Sequence, residues 1–332
     1  MTRNIQPITL KDVQTAHKRI APIVKSSPLI FSPTLSEIAG TSIYLKLENL
    51  NVSGSFKIRG AANKMLSLTP EQQKRGVTTF STGNFGMSVA YLAKELGMKA
   101  VICISGRVPK AKVDLIRDMG AQIEVIGQSQ DDAQEYSYQL EKEHGLTVIH
   151  PFDDSEVIAG QGTIGLELLE DLPGLDTVIG GLSGGGLHSG MGVALKSMEP
   201  KLKLLGVSTA RGATMYESIK QGKPVVVQEQ DTLADSLLGG IGENNQYTFK
   251  MVQQYVDEII LLGEEPIAEG MNFMLEKHRL VIEGAAASGI GAILHDKAPL
   301  GSNVAIIISG CSVDTSVIMD IANKYLSKFP DF

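Results

Sequence analysis

The chain has 332 residues, enough for one large or two medium domains with a sizeable core. Hydrophobic residues make up 43% and charged residues 20%, as in soluble globular proteins, and a net charge of −7 without a basic block excludes a nucleic-acid-binding face. No apolar run reaches membrane-span length and residues 1–11 are too polar for a signal peptide. Two cysteines, Cys103 and Cys311, are too few for a disulfide framework or a cysteine-rich metal site, so the composition predicts a cytoplasmic protein that binds neither membrane nor nucleic acid.

In chain order, residues 9–20 are predicted to be helical, and an extended stretch follows around Pro28 and Pro33. Short β-branched runs then alternate with amphipathic ones. Strands are expected at 42–47, 77–81, 100–105, 122–126, 147–150, 177–180, 204–208, 258–262 and 304–309. Phe85, Val89, Leu92, Ala93 and Leu96 share one helical face that Gly97 closes, and Gly120 ends the run holding Val113, Ile116 and Arg117. This alternation predicts an α/β fold with parallel-rich sheets covered by helices. There is no repeat and no Ser/Gly linker. A small α/β domain over 51–150 is expected to be inserted into a larger one made of 1–50 and 151–332.

Five motifs carry chemistry. In Ser53-Gly54-Ser55-Phe56-Lys57-Ile58-Arg59-Gly60, a lysine bracketed by Phe56 and Ile58 opens a helical run. Burial lowers a lysine's pKa and supplies the neutral amine that attacks aldehydes, whereas the plainer alternative is an exposed first-turn lysine. Ser81, Thr82, Gly83 and Asn84 lie between a strand and a helix, where they could hold a carboxylate or a phenolic oxygen, or simply cap the helix. Ser183-Gly184-Gly185-Gly186-Leu187 follows a strand and precedes a helix. Consecutive glycines there turn backbone N–H groups toward one point, which suits phosphate, although the spacing is neither a dinucleotide fingerprint nor a Walker loop. Ser309, at the end of the last strand, could bond a heterocyclic nitrogen or merely end a turn, and Cys311 beside it reads as structural. Glu283, before a run of small residues, reads equally as a site carboxylate or as a helix N-terminal acid. The six histidines have no metal-ligand spacing, so no metal site is predicted, and His188 reads as structural. Asp131–Asp132 and Glu264–Glu265 read as solvated helix starts.

Taken in order, G-S-F-K-I-R-G-A, S-x-G-N, S-G-G-G-L and S-G-x-x-x-D resemble the threonine/serine dehydratase family of fold-type II pyridoxal-phosphate enzymes. The run Val157-Ile158-Ala159-Gly160-Gln161-Gly162-Thr163-Ile164-Gly165 is also typical of that family. The likeness spans roughly residues 10–320 and implies a two-lobed, tryptophan synthase β-like fold with pyridoxal 5'-phosphate between the lobes. It implies that Lys57, with Phe56 beside it, forms the Schiff base and takes the substrate's α-proton, and that Ser183 to Leu187 cup the phosphate. It further implies Asn84 at the ring hydroxyl, Ser309 at the pyridine nitrogen, Glu283 near the cofactor, and Ser81, Thr82 and Gly83 at the substrate carboxylate. The implied reaction converts a β-hydroxy amino acid such as L-threonine or L-serine to a 2-oxo acid and ammonia, in a homodimer or homotetramer.

The chain departs from the family pattern at Phe85, where the pattern has histidine, and at Ser88, where it has glycine. Gly206-Val207-Ser208-Thr209-Ala210 lacks the acids that bind a divalent ion in some relatives, and no regulatory domain or isoleucine feedback is expected. Segments 128–134, 208–215, 232–236 and 239–242 are similar to hydroxyectoine-utilization dehydratases, which act on a hydroxylated diamino acid. Serine or aspartate racemisation with Ser81 as second acid, or an effector-binding protein without chemistry, are the other readings; retention of Lys57 and the glycine cup opposes the last.

Overall fold

The computed structural model describes residues 6–81, 83–106 and 110–326. Ten strands occur among these: β1 Leu29–Phe31, β2 Ser42–Lys46, β3 Val77–Thr79, β4 Ala100–Ile104, β5 Gln122–Val125, β6 Thr147–Val148, β7 Thr177–Gly181, β8 Lys203–Thr209, β9 Glu258–Leu262 and β10 Asn303–Ile307. They form a six-stranded sheet in the order β1-β2-β10-β7-β8-β9 and a four-stranded sheet in the order β5-β4-β3-β6. All pairings are parallel except β1 with β2. Such strands are covered by helices on both faces and read as unbroken apolar runs; Ala100–Ile104 is buried at every position.

All nine expected strands are present, and β3, β6 and β10 each end two residues early. β1 was not expected. It is three residues long, lies between Pro28 and Pro33, and pairs at the edge of the large sheet with Leu29 opposite Lys46. An edge strand this short carries no alternation that a sequence pattern can reveal. The expected N-terminal helix is Leu10–Ile20, begun by a capping box in which Thr9 and Asp12 exchange hydrogen bonds.

The helix Ser155–Asp171 explains the run of glycines at 160, 162 and 165. A Cβ on Gly160 would lie 2.6 Å from the Arg59 carbonyl, one on Gly162 2.7 Å from the Gly190 carbonyl, and one on Gly165 2.9 Å from the Ala194 methyl. The bare glycine face therefore lets this helix pack directly on its neighbours Lys57–Leu66 and Gly186–Met198.

A buried ion network reinforces that contact. The Arg59 guanidinium donates through Nε and Nη2 to Glu48 at 2.7 and 2.8 Å, and through Nη1 and Nη2 to Glu167 at 2.6 and 2.8 Å. Lys46 at the end of β2 adds a second cation 2.9 Å from Glu167. Burial pushes the Glu167 carboxyl up, but the hydrogen bonds and charge of Arg59 and Lys46 outweigh it and hold the group below the ordinary carboxylate range. Arg59→Ala is expected to lower stability by about 3–5 kcal/mol, because it strands two carboxylates without their shared partner. The midpoint of urea unfolding checks this; an unchanged midpoint would show that the network contributes nothing.

Candidate active site

Eight chain segments converge on a cavity of about 200 Å³ at the C-terminal ends of β3, β7 and β10. In parallel sheets this is where loops and helix N-termini gather. Lys57 is the first residue of its helix, with Phe56 as the N-cap. The strand end and this turn are tied together, since Phe56 N–H donates to Ser309 O at 3.0 Å and Cys311 N–H to Gly54 O at 3.0 Å.

The Lys57 amine faces the cavity, 5.1 Å from the Phe56 ring centre and 5.8 Å from that of Phe85. Its hydrogen bond is a long one, 3.4 Å to Pro151 O. Burial pulls its pKa down from 10.5 to about 8, partly opposed by the charge of Glu283. A neutral fraction is thus present near physiological pH.

Glu283 lies deep in the same cavity and is held by four hydrogen bonds: two of 2.9 Å from Asn84 Nδ2, one of 3.1 Å from Ser236 Oγ and one of 3.1 Å from Ser312 N–H. Burial still pushes its carboxyl up. Glu283 is therefore a cavity carboxylate that stands at the N-cap position of the helix Gly284–Leu294 without a side-chain capping bond. Asn84 spends its amide hydrogens on Glu283, leaving Oδ1 buried without a partner, an open acceptor suited to a hydroxyl donor. Ser309 also lines the cavity.

The glycine loop also lines the cavity. Gly185 is the N-cap of the helix Gly186–Met198 with φ 86°, a left-handed conformation, and it supplies no side-chain acceptor. The first N–H groups of that helix are thus free of a side-chain cap and lie beside Ser183 and Leu187 in the cavity wall. Backbone donors without an acceptor, a part-neutral lysine and an open polar acceptor fit the phosphate, aldehyde and ring hydroxyl of pyridoxal phosphate.

Ser81 and Gly83 line the cavity as expected, and Thr82 lies outside the described residues. Ser88 turns away: its hydroxyl donates to Asn84 O at 2.7 Å and lies 3.0 Å from Ser53 Oγ. His188 sits under the loop with Nε2 3.2 Å from Leu205 O, and burial pulls its pKa down to about 4, so it is neutral. Asp132 caps its helix and Glu264 ties down the 232–233 turn, neither facing the cavity. Among the described residues no group of three or more His, Cys, Asp or Glu is placed to hold a metal ion, and no helix is long and apolar enough to cross a membrane. Sequence reasoning missed Gln130, Pro151, Phe152, Asp235 and Ser236, which also line the cavity. Only the position of Pro151 and Phe152, just beyond an expected strand end, could have marked them.

Comparison with known proteins agrees with this geometry. Residues 20–310 match the family described as pyridoxal-phosphate dependent enzyme. The L-threonine ammonia-lyase of Thermotoga maritima is 42% identical over 321 residues, 97% of this chain and 80% of that protein. The structure of maize serine racemase superposes with a TM-score of 0.90 at 31% identity, covering 97% of this chain and 99% of that one. The T.th. threonine deaminase does so with a TM-score of 0.85 at 33% identity, covering 92% and 99%. The expected two-lobed α/β architecture of fold-type II enzymes is borne out. Family match, fold and cavity chemistry lead to one assignment: the chain belongs to the pyridoxal-phosphate dependent enzymes.

Proposed function

We propose that this protein is a pyridoxal-phosphate-dependent ammonia-lyase that converts a small β-hydroxy amino acid, such as L-threonine or L-serine, to its 2-oxo acid and ammonia. The observation that carries the reading is a part-neutral amine, Lys57, in a cavity that is also lined by the glycine loop Ser183–Leu187, where a helix begins without a side-chain cap. The names of the relatives, L-threonine ammonia-lyase and threonine deaminase, support the reaction type. The two sheets further support residues 51–150 as a small domain inserted into a larger one formed by 1–50 and 151–332, and we infer a cytoplasmic homodimer or homotetramer.

When bound, the cofactor supplies an aldehyde that captures the substrate amine and a conjugated ring that draws electrons from the α-carbon. The neutral Nζ of Lys57 accepts the α-proton. Ser81 and Gly83, at the start of the Asn84–Glu95 helix, hold the substrate carboxylate, with Thr82 between them in sequence. Asn84 and Ser309 would orient the ring by its hydroxyl and nitrogen, with Glu283 holding Asn84 in place. Ser183, Gly184, Gly185, Gly186 and Leu187 would hold the phosphate. Water and then ammonia leave the substrate, and one water is taken up as the 2-oxo acid is released.

A second reading, serine racemisation, is favoured by the likeness to maize serine racemase and by Ser81 at the cavity wall as a candidate second acid. Chiral analysis of residual substrate separates the two, since elimination consumes serine whereas racemisation returns its mirror image. A panel that includes hydroxylated diamino acids covers the remaining dehydratase alternative.

Lys57→Ala is expected to cut 2-oxo acid release by roughly 10²–10⁴-fold or more and to abolish borohydride-stable attachment of the cofactor to the residue-57 peptide. Retention of both properties would refute the assignment. Only the neutral amine attacks an aldehyde, so uptake of pyridoxal phosphate by the apo-protein should accelerate as pH rises, with a midpoint near 8 rather than near the ordinary 10.5. Glu283→Gln removes a charge that raises this pKa and should move the midpoint lower; stopped-flow uptake rates across pH 6–11 would read an upward shift as evidence against it.

A further inference from the structure

The segment between β6 and the Ser155–Asp171 helix touches both ends of the cavity. Pro151 O accepts from Lys57 Nζ at 3.4 Å. One residue later, Phe152 lies directly beneath the glycine loop: a Cβ on Gly184 would come within 2.6 Å of the Phe152 ring, and one on Gly186 within 2.9 Å of the Phe152 carbonyl. On its other side the loop meets the helix Thr248–Tyr255, where a Cβ on Gly185 would lie 2.7 Å from Val252 Cγ2 and 3.2 Å from Thr248 Cβ. The three glycines are thus gripped between Phe152 and this helix, which explains why all three must lack side chains.

Asp153 joins the two jaws. Its carboxylate accepts from the N–H groups of Gln246 at 2.6 Å, Tyr247 at 2.9 Å and Thr248 at 2.9 Å, so one side chain caps the helix that presses on Gly185. The Phe152 end is fixed as well. The Phe152 and Asp153 N–H groups donate to His150 Nδ1 at 3.3 and 2.9 Å, and the Phe152 ring meets the His150 ring edge-on at 4.7 Å. Asp154 accepts from Lys64 at 2.6 Å, on the same helix as Lys57.

We propose that Phe152 and Asp153 are positioning residues that clamp the glycine loop into the shape that receives a phosphate ester, and that Asp153 is the latch. The proposal rests on the reading of the glycine loop as the phosphate site. It predicts a defect confined to the phosphate end, because neither side chain is required for the Lys57 amine to meet an aldehyde.

The test compares the binding of pyridoxal phosphate and of pyridoxal, which lacks the phosphate, to apo-protein by absorbance titration. Asp153→Ala is expected to raise the dissociation constant for pyridoxal phosphate by about tenfold or more while changing that for pyridoxal by less than about twofold. Asp153→Asn, which keeps one acceptor oxygen, should recover most of the preference, and Phe152→Leu should lose it in part. Circular dichroism establishes that each variant is folded; if Asp153→Ala is not, the Asp153→Asn and Phe152→Leu pair decides. Equal weakening of both ligands, or no weakening of either, overturns the clamp. Wild-type protein that binds the two ligands equally would instead refute the phosphate reading of the loop, and the clamp with it.

Discussion

The site depends on a charge that never meets it. Arg59 lies two residues beyond Lys57 and is buried, with both faces of its guanidinium fork occupied by carboxylates from different parts of the chain. Glu48 comes from the turn after β2 and Glu167 from the C-terminal part of the long helix Ser155–Asp171. Rotating the Lys57–Leu66 helix by even part of a turn would pull that guanidinium from carboxylates that are buried with it. The helix start is thereby locked, and the direction of the Lys57 side chain with it. The glycine contact between the same two helices acts in the same sense, since nothing larger than hydrogen fits between Arg59 O and Gly160. A buried network of this kind specifies geometry more surely than it adds stability.

With its origin fixed, the Lys57 amine is tuned by a contest between three effects. Desolvation disfavours the ammonium, while the Glu283 carboxylate and the faces of Phe56 and Phe85 favour it. Desolvation wins because Glu283 is itself occupied: four hydrogen bonds hold it, and it makes none to Lys57. A direct ion pair would have kept the lysine protonated and useless as a nucleophile. Asn84 is thus placed to serve two ends, engaging the acid and offering its carbonyl oxygen to the cavity.

The α/β class, nine of the ten strands and the main cavity residues were legible in the sequence because each rests on a local signal. Parallel strands are unbroken apolar runs, and the glycine loop, the strand-to-helix turn at Ser81 and the Lys57 motif are contiguous segments. What escaped depends on contacts between distant segments. Nothing near Phe152 announces that its ring will lie under Gly184, and nothing near Asp153 announces that it will accept from the N–H groups of residues 246–248. Glu283 could be read two ways from sequence for the same reason. Its position at a helix start is local, whereas its hydrogen bond in the cavity is to Asn84, which lies 199 positions earlier in the chain.

The two departures from the family pattern have different physical consequences. The extra atoms of Ser88 are absorbed by a hydrogen bond to Asn84 O and a contact with Ser53, so this change stiffens the helix start and the loop before Lys57 without reaching the cavity. Phe85 does reach it, as a nearly buried ring near the amine. An imidazole there would bring a group that titrates in the neutral range and a proton to donate, whereas a phenyl ring brings only volume and a quadrupole. The other imidazoles near the cavity are silent at neutral pH, because burial pulls both His150 and His188 down to about 4. In the proposed reaction, then, proton transfer falls to the Lys57 amine, and neither His150 nor His188 is charged beside it at neutral pH.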